Sequence, residues 1–371
     1  MSERVLMKGN EALAEAAISA GCRHFFGYPI TPQTEVAAYM AKRMPKVGGT
    51  YLQAESEVSA INMVLGAAAA GARVMTSSSS PGISLKSEGI SYLAGSDLPA
   101  LIINVQRAGP GLGGIQPSQA DYWQATRSTG HGDFHVLVLA PSTVQEMVDL
   151  VSDAFDLGDK YRMPVMILSD GMLGQMMEPV SLPEKSVECL PEKLWATNGH
   201  KDQRKHNVIN SLYINPPELE SLLHERYAKY DHIHKTEQRA EEYLTDDAEL
   251  IIVAYGASSR VSRSAIDMAR AEGIKVGMIR PITLWPYPVD YIEKNMDQVK
   301  SFLCVEMSMG QMVDDVRLAV NGRRPVNFFG RTGGIIPTPA EVLNEIKKIT
   351  GKDEVRRHLA SMGFVVGEKV M

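Results

Sequence analysis

Apolar runs alternate with amphipathic segments along the first half of the chain, and this alternation predicts an α/β fold. Short apolar runs, which predict buried strands, occur at 24–28, 50–53, 73–76, 100–105, 136–140 and 164–169. Segments with the apolar spacing of helices lie between them, at 11–20, 34–43, 56–71, within 84–94 and from 141 onward. Asn10 is the predicted N-cap of the first helix and Gly21 its stop. Such alternation is typical of a parallel sheet with helices on both faces.

The alternation breaks after residue 183, which predicts a division into three parts. Residues 1–183 form the first α/β domain, and 184–245 form a charged connector with a helix in its second half. Residues 246–371 form a smaller α/β domain. Its predicted elements are a strand from 249, a helix to Glu272, a strand at 275–280, a loop P-I-T-L-W-P-Y-P at 281–288 and a strand at 302–306.

Composition narrows the class of protein. The 371 residues are 44% apolar and 22% charged, which is ordinary for a soluble globular protein and too apolar for a disordered one. The net charge of −6 gives no positive field for a nucleic acid. The longest apolar stretch, 63–70, is well short of the roughly 18 residues that a membrane span needs, and the first residues lack a signal-like apolar region. We therefore expect a cytoplasmic protein with no membrane or nucleic-acid partner.

The three cysteines, Cys22, Cys189 and Cys304, are far apart and have no C-x-x-C spacing. They form neither a disulfide framework nor a ligand set for zinc or an iron–sulfur cluster. Any redox cluster that serves this protein must therefore lie on another chain.

Four loops at the predicted carboxyl ends of strands hold the candidate chemistry, because ligands of open α/β sheets bind at that edge. The loop G-Y-P-I-T-P-Q-T (27–34) holds Thr31 between two prolines, where its hydroxyl is either functional or a helix cap. The loop Q-A-E-S-E (53–57) puts Glu55 and Glu57 at the start of an apolar helix, where an acid is either functional or only complements the helix dipole.

The other two loops leave similar alternatives open. The small-residue loop T-S-S-S-S-P-G (76–82) runs into a helix, so its backbone amides either bind an anion or carbonyl or form a plain turn. Arg107 in V-Q-R-A-G-P-G-L-G-G (105–114) follows a strand that should be buried, so its partner is either a protein carboxylate or an anionic substrate.

Several motifs are weaker candidates. G-P-G-L-G-G (109–114) fits a dinucleotide fingerprint, but Pro110 and Pro117 oppose the helix that must follow. S-D-G (169–171) resembles a magnesium motif without its first glycine, and we expect an irregular stretch at 176–183 after it. The connector carries five of the nine histidines, and a solvated connector is favoured there over a metal site. The role of His131 and Asp133, in a predicted loop, is left open between turn chemistry and catalysis.

A set of motifs spread over essentially the whole chain resembles one family. The motifs are K-G-N-E-A (8–12), G-Y-P-I-T-P-Q-T-E (27–35), Q-A-E-S-E-V-S-A-I-N-M (53–63), M-T-S-S-S-S-P-G-I-S-L-K-S-E-G (75–89), G-P-G-L-G (109–113), Q-P-S-Q-A-D-Y (116–122), G-H-G-D (130–133) and L-A-P-S-T-V-Q-E-M (139–147). They resemble the α subunit of the 2-oxoacid:ferredoxin oxidoreductases, which use thiamine diphosphate. Within that family the chain looks most like the 2-oxoisovalerate type, with the 2-oxoglutarate type next.

The resemblance implies a cofactor site shared between two chains. The α chain supplies a pyrimidine-binding domain followed by a transketolase-C-terminal-like domain, and a β subunit binds the diphosphate. Glu57 matches the family's glutamate that hydrogen-bonds the aminopyrimidine ring and supports proton relay, and Thr31 and Arg107 match its substrate-contacting residues. The resemblance also assigns Pro29, Ile30, Ser79 and Ser80 to cofactor binding and no metal ligand to this chain.

The implied function is oxidative decarboxylation of a branched-chain 2-oxoacid to its acyl-CoA, with electrons passed to ferredoxin. The implied partners are β, γ and ferredoxin-like subunits that carry Mg²⁺ and iron–sulfur clusters, with coenzyme A as co-substrate and paired αβ units in a hetero-oligomer. The alternatives are a 2-oxoglutarate enzyme and, in another class, a non-catalytic assembly paralogue. A nicotinamide dehydrogenase is disfavoured because it rests on 109–114 alone.

Overall fold

The computed structural model describes residues 4–127, 129–183, 190 and 192–351, so Cys189 and most of 184–191 lie outside the described residues. Strands and helices alternate in the first half, as the apolar pattern predicts. The elements are β1 (Val5–Lys8), α1 (Gly9–Ser19), β2 (His24–Gly27), α2 (Thr34–Arg43), β3 (Thr50–Gln53), α3 (Glu57–Ala69), β4 (Val74–Ser78), α4 (Ser80–Gly95), β5 (Ala100–Gln106), α5 (Tyr122–Thr126), β6 (Leu137–Leu139), α6 (Val144–Tyr161), β7 (Pro164–Asp170), α7 (Gly171–Gln175) and β8 (Met177–Val180).

The second half begins with a long helix and continues as a second α/β unit. Its elements are α8 (Pro216–Thr236), β9 (Ala240–Tyr243), β10 (Leu250–Val253), α9 (Gly256–Ala271), β11 (Val276–Pro281), β12 (Thr283–Trp285), α10 (Val289–Lys294), β13 (Ser301–Glu306), α11 (Met312–Val320), β14 (Val326–Gly330) and α12 (Pro339–Ile349). The helix α8 confirms the prediction of a helix in the second half of the connector. None of the helices in the described ranges has the length and apolar character needed to cross a membrane.

The larger sheet has seven strands in the order β12-β6-β7-β5-β4-β2-β3. All its pairings are parallel except that of β12 with β6. Every residue of β5 and β7 is buried, as expected for central strands covered by helices on both faces. The chain goes from β2 outward to the edge strand β3 and then crosses back to β4 on the other side of β2. The direction of winding therefore reverses between β2 and β4, and this is where an open α/β sheet forms its ligand crevice.

The smaller sheet has the order β14-β13-β10-β11-β9, with β9 antiparallel and the rest parallel. The fold is therefore α/β, with two mainly parallel sheets covered by helices. Because β9 pairs with β11, the second sheet includes residues at the end of the predicted connector. The exact division of the chain at 183 and 245 remains a prediction.

Three local predictions are wrong, each because of a long-range contact. Asn10 lies within α1 rather than capping it, since its side-chain amide donates to the Pro32 carbonyl (2.8 Å) and to Glu35 (3.0 Å). The predicted irregular stretch at 176–183 contains β8, which pairs with β1 in a two-stranded sheet. The predicted loop at 281–288 contains β12, which extends the first sheet beyond β6.

Contacts of one loop hold the two halves together. The side chain of Gln119 donates to the Tyr255 carbonyl (2.8 Å) and accepts from the Ser258 hydroxyl (2.5 Å) and the Met307 amide (2.9 Å). All these atoms are buried, so each bond is made where water cannot replace it. One hydrophobic cluster also continues from the first sheet into the second. The first-half residues that follow β5 are thus held in place partly by the second half.

Candidate active site

The crevice at the point where the winding reverses is bordered by the loops that follow β2, β3, β4 and β5. The loop after β2 is joined to strand β4 through Gln33, which accepts a hydrogen bond from the Ser77 hydroxyl (2.5 Å) and donates to the Tyr28 carbonyl (3.1 Å). Gln33 is fully buried, so it fixes the shape of the loop 27–34 from beneath. The four loops that the sequence marks as candidates therefore lie at one edge of one sheet.

Glu57 is the first residue of α3, and the residue is buried, with 6% of its surface exposed. Ser56 caps the helix by accepting from the Ser59 amide (3.2 Å), so Glu57 is not needed as the cap. Among the described residues, none donates a hydrogen bond to the Glu57 carboxylate. A buried carboxylate with open acceptor positions at a helix N-terminus is suited to bind a ligand that donates hydrogen bonds.

Gly82 makes room for Glu57. A Cβ atom at Gly82 would lie 2.7 Å from Oε1 of Glu57 and 2.0 Å from the hydroxyl oxygen of Ser78, and both distances are too short for any side chain. The glycine in the S-S-S-S-P-G loop is therefore required by this close approach rather than by turn geometry. The sequence analysis assigned no role to Gly82. Its position at the end of a run of small residues was the available signal that a larger side chain would not fit there.

Buried hydroxyl groups without partners lie on β4 and just after it, and one of them, that of Ser78, borders the same space at Gly82 as the Glu57 carboxylate. The side-chain oxygens of Thr76, Ser78 and Ser79 are buried and have no hydrogen-bond partner within the described part of the chain. Ser80 differs, because its hydroxyl donates to Asp121 (2.6 Å) and accepts from the Arg107 backbone amide (3.0 Å). Of the two predicted cofactor-binding serines, Ser79 thus has a free side chain and Ser80 links the loops after β4 and β5.

Arg107 extends across the crevice to the loop after β2. Its two terminal nitrogens donate to the carbonyl oxygens of Thr31 (3.1 Å) and Leu112 (3.0 Å), while Nε is buried without a partner in the described residues. The structure therefore brings Thr31 and Arg107 into contact. No salt bridge among the described residues neutralises Arg107, so its charge is available to an anion.

Asp121 lies behind Arg107 and was missed by sequence reasoning, although it occurs in the motif Q-P-S-Q-A-D-Y. It accepts hydrogen bonds from Ser80 (2.6 Å) and from the side-chain amide of Asn104 (2.9 Å). Burial raises the pKa of the Asp121 carboxyl, against the opposing effect of these bonds and of the Arg107 charge. Asp121 therefore supports the loop that holds Arg107.

The remaining predicted residues differ in their surroundings. Pro29 and Thr31 are exposed in the loop after β2, and Ile30 is half-buried there. His131 and Asp133 lie in an exposed turn, and the His131 carbonyl accepts from Ser91 (2.6 Å) on α4. Since Ser91 is eleven residues along α4 from Ser80, this turn lies about 16 Å from the start of that helix.

The weaker motifs have structural explanations. Asp170 of S-D-G caps α7 by accepting from the amides of Met172 (2.8 Å) and Leu173 (3.1 Å), and burial raises its pKa to about 6. The segment 109–114 is not followed directly by a helix, because α5 begins only at Tyr122. The described ranges contain no cluster of three or more His, Cys, Asp or Glu side chains that could hold a metal ion.

Comparison with known proteins gives matches over most of the chain. A family model described as "Pyruvate flavodoxin/ferredoxin oxidoreductase, thiamine diP-bdg" matches residues 15–248. A second one, "Pyruvate:ferredoxin oxidoreductase core domain II", matches residues 248–342. The two models meet at residue 248, between β9 and β10, so the first model includes β9 of the smaller sheet and the second includes β12 of the larger one.

Relatives match over nearly their whole length. The ketoisovalerate oxidoreductase subunit VorB of Methanothermobacter thermautotrophicus is 52% identical, with 93% of this chain and 98% of the relative covered. The 2-oxoglutarate synthase subunit KorA of Methanothermobacter marburgensis is 36% identical, with 93% and 99% covered. The structure of the 2-oxoglutarate:ferredoxin oxidoreductase of Magnetococcus marinus, with 2-oxoglutarate, coenzyme A and succinyl-CoA bound, has a TM-score of 0.84 at 29% identity, covering 94% of this chain and 65% of that one.

Proposed function

This chain belongs to the pyruvate flavodoxin/ferredoxin oxidoreductase family, whose enzymes are thiamine diphosphate-dependent 2-oxoacid oxidoreductases, and on that premise we propose its substrate and the roles of its residues. It is the subunit that binds the pyrimidine end of thiamine diphosphate in an enzyme that oxidises a branched-chain 2-oxoacid to its acyl-CoA. The observation that carries this proposal is Glu57, a buried carboxylate with open acceptor positions beside the crevice where Thr31 and Arg107 meet.

The residues at the crevice fit the cofactor. Its aminopyrimidine ring has both donor and acceptor atoms, which suit the Glu57 carboxylate and the unpartnered hydroxyls of Ser78 and Ser79. When bound, thiamine diphosphate supplies the electron sink for decarboxylation of the 2-oxoacid. Glu57 accepts a hydrogen bond from the ring and holds or releases the proton there, while Pro29 and Ile30 shape the exposed loop against the cofactor. Ser80 acts by holding the Arg107 backbone.

Arg107 and Thr31 bind the substrate carboxylate. Two backbone carbonyls fix the guanidinium, so little ordering is required when an anion binds. Leu112, whose carbonyl accepts from Arg107, leaves its side chain 82% exposed in the same loop. An aliphatic surface beside the carboxylate site favours a branched-chain 2-oxoacid, as does the higher identity to the ketoisovalerate relative than to the 2-oxoglutarate one. The 2-oxoglutarate reaction is the alternative.

The rest of the reaction requires other chains. The three cysteines of the sequence are far apart and lack C-x-x-C spacing, which supports iron–sulfur clusters on partner subunits for electron transfer. We propose a β subunit that binds the diphosphate and Mg²⁺, γ and ferredoxin-like subunits, coenzyme A as acyl acceptor and ferredoxin as electron acceptor. Arg107 without a salt bridge argues against the non-catalytic assembly role, because assembly alone gives no reason to keep an unneutralised buried cation.

The test is reduction of viologen that depends on a 2-oxoacid. The chain is co-produced with the subunits encoded beside it, and the complex receives coenzyme A with 2-oxoisovalerate, 2-oxoglutarate or pyruvate. We expect the highest kcat/KM with 2-oxoisovalerate. A preference for 2-oxoglutarate would overturn the substrate assignment and keep the reaction class, whereas no reduction by a complex loaded with clusters and cofactor would favour the assembly role.

A further inference from the structure

Lys86 is a charged side chain on the buried face of a helix. The buried residues of α4 include Gly82, Ile83, Gly89 and Ile90, and Lys86 lies among them at the same helical spacing. Its side chain is fully buried, and its ammonium nitrogen has no hydrogen-bond partner in the described part of the chain. Burial of an unpaired ammonium is so unfavourable that such a residue requires a compensating charge.

The packing of α4 against α3 directs Lys86 toward Glu57. The first contact level is Gly82 against Glu57. Two turns further along α4, and one turn further along α3, a Cβ at Gly89 would lie 2.5 Å from Cγ2 of Ile61. Both helices therefore advance in the same general direction, and Lys86 lies between these two levels on α4. Helical side chains lean toward the N-terminus of their helix, so the Lys86 stem extends from its own level back toward the level of Glu57.

Glu57 is the charged group that acts on Lys86. Burial lowers the pKa of the Lys86 amine to about 8, and the negative charge of Glu57 opposes this shift. The other charged groups near α4 are engaged elsewhere. Asp121 and Arg107 contact its first turn through Ser80, and Glu88 accepts from the Tyr92 hydroxyl (2.5 Å) on the exposed face. Gln124, from α5, contacts α4 at Ser84 and is uncharged.

We propose that Lys86 is a positioning residue for Glu57: its buried, unpartnered ammonium keeps the neighbouring carboxylate ionised and oriented at the crevice. This inference rests on the role proposed above for Glu57. A buried carboxylate without a nearby positive charge takes up a proton more readily, and a protonated Glu57 cannot accept a hydrogen bond from the pyrimidine ring in the same way. Because Lys86 is fully buried, it acts through Glu57 rather than by binding the substrate itself.

The first experiment is a double-mutant cycle on the thermal midpoint of the complex without added cofactor, at pH 7. Lys86→Met keeps the length of the side chain and removes the charge, and it is made in the natural chain and in Glu57→Gln. We expect Lys86→Met to lower the midpoint in the natural chain and to leave it unchanged or raised in Glu57→Gln, because the second background has no charge to compensate. Equal effects in the two backgrounds would overturn the proposal, because a Lys86 side chain that only fills space would have the same effect on the midpoint in both.

The second experiment is the pH profile of kcat/KM for the preferred 2-oxoacid. If Lys86 holds the catalytic carboxylate in its working state, we expect the acid limb of the profile to move to higher pH in Lys86→Met. Lys86→Arg restores the charge and is expected to move the limb back. An acid limb at the same pH in all three proteins would overturn the proposal.

These two experiments separate this inference from the proposed function. If the complex oxidises no 2-oxoacid, the thermal cycle still measures whether Lys86 and Glu57 interact. If the complex is active and Glu57→Gln is as active as the natural chain, the role of Glu57 fails while the interaction of the two side chains remains measurable. Coupling in the cycle with no change in the acid limb would leave an ion pair without a role in positioning, and so would also overturn the proposal.

Discussion

Glu57 and Glu306 are both buried carboxylates beside the N-terminus of a helix, but their surroundings differ. Glu306 ends β13 and is fully buried, and it accepts hydrogen bonds from the backbone amides of Gln311, Met312 and Val313 at 3.0–3.2 Å and from the Ser308 hydroxyl (2.9 Å). Glu57 accepts none from the described residues and faces a glycine and a buried lysine. A carboxylate with all its acceptor positions filled fixes local structure, whereas one with open positions is available to a ligand.

The same contrast holds for two buried arginines. Arg280 donates to Glu241 (2.7 Å) and to both oxygens of Glu146 (2.7 and 3.0 Å), so its charge is neutralised within the protein. Arg107 donates only to backbone carbonyls, which orient it without neutralising it. The two members of each pair are of the same residue type and similarly buried. What separates the structural residue from the candidate site residue is whether its hydrogen-bonding positions are filled by charged or backbone partners of the protein.

Glu57→Gln should give the largest effect of all. The amide keeps the shape but cannot hold or release a proton, so kcat for 2-oxoacid oxidation should fall by roughly 10³-fold. The thermal midpoint should also fall, because Lys86 loses its compensating charge, and adding Lys86→Met should not lower it further. Viologen reduction and thermal unfolding measure the two quantities. Glu55→Gln is the matched control and should retain activity, since Glu55 is exposed and, within the described residues, its carboxylate accepts from the Ser59 hydroxyl alone (3.0 Å). A lower midpoint with unchanged kcat would make Glu57 a structural residue.

Glu306→Gln should show the opposite pattern. In the natural chain, backbone N–H groups donate to both carboxylate oxygens of Glu306. In the variant, the amide nitrogen of glutamine would face some of these donors, so the free energy of unfolding should fall by about 3 kcal/mol. The measurement is chemical or thermal unfolding of the complex. Surviving enzyme should keep its KM, because the carboxylate of Glu306 bonds Ser308 and the start of α11 rather than Thr31, Glu57 or Arg107. Unchanged stability would show that filled acceptor positions do not identify a structural carboxylate.

Arg107→Ala should be next in size and should affect catalysis more than stability. Without the guanidinium the substrate carboxylate loses its positive partner, so kcat/KM should fall roughly 30-fold, through a higher KM and a lower kcat. Steady-state kinetics with the preferred 2-oxoacid measures this. Arg280→Ala is the comparison, and it should lower stability without changing KM. Similar kinetics for both variants would remove the distinction between the two arginines.

Asp170→Asn should give the smallest effect, and it concerns the pH dependence of stability. The folded pKa of Asp170 is about 6, above the unfolded value of 3.8, so the folded state binds the proton more tightly. Its contribution to stability is complete below the unfolded pKa and is lost as the pH rises to about 6. Relative to Asp170→Asn, the natural chain should therefore lose about 2 kcal/mol of stability between pH 4 and pH 7. Parallel stability curves would contradict the raised pKa.

The fold class and the position of the crevice could be predicted from the sequence because both depend on local patterns. Buried strands and amphipathic helices alternate at short range, and ligand sites of open sheets lie at a known edge. Thr31, Glu57 and Arg107 were predicted from loops after three different strands, and those loops do meet at that edge. Glu57 and Arg107 retain their predicted roles as expectations for experiment.

The parts that were not predicted depend on contacts between distant residues. Thr283–Trp285 becomes a strand only because it pairs with β6, and its flanking prolines resemble a loop. Asn10 leaves the predicted cap position because Pro32 and Glu35 bind its amide. Lys86 was overlooked within a motif, although a lysine at the spacing of a buried helical face was a signal that could have identified it.

The strand β12 has a consequence for the synthesis of the chain. It is the outer neighbour of β6, and residue 285 follows residue 139 by 146 positions. At the usual rates of translation the ribosome needs roughly ten to thirty seconds to add that segment. During this interval the apolar strand Leu137–Leu139 is an open sheet edge, which is a template for pairing with another nascent chain. The first half of this protein therefore depends on its second half for protection from aggregation as well as for packing.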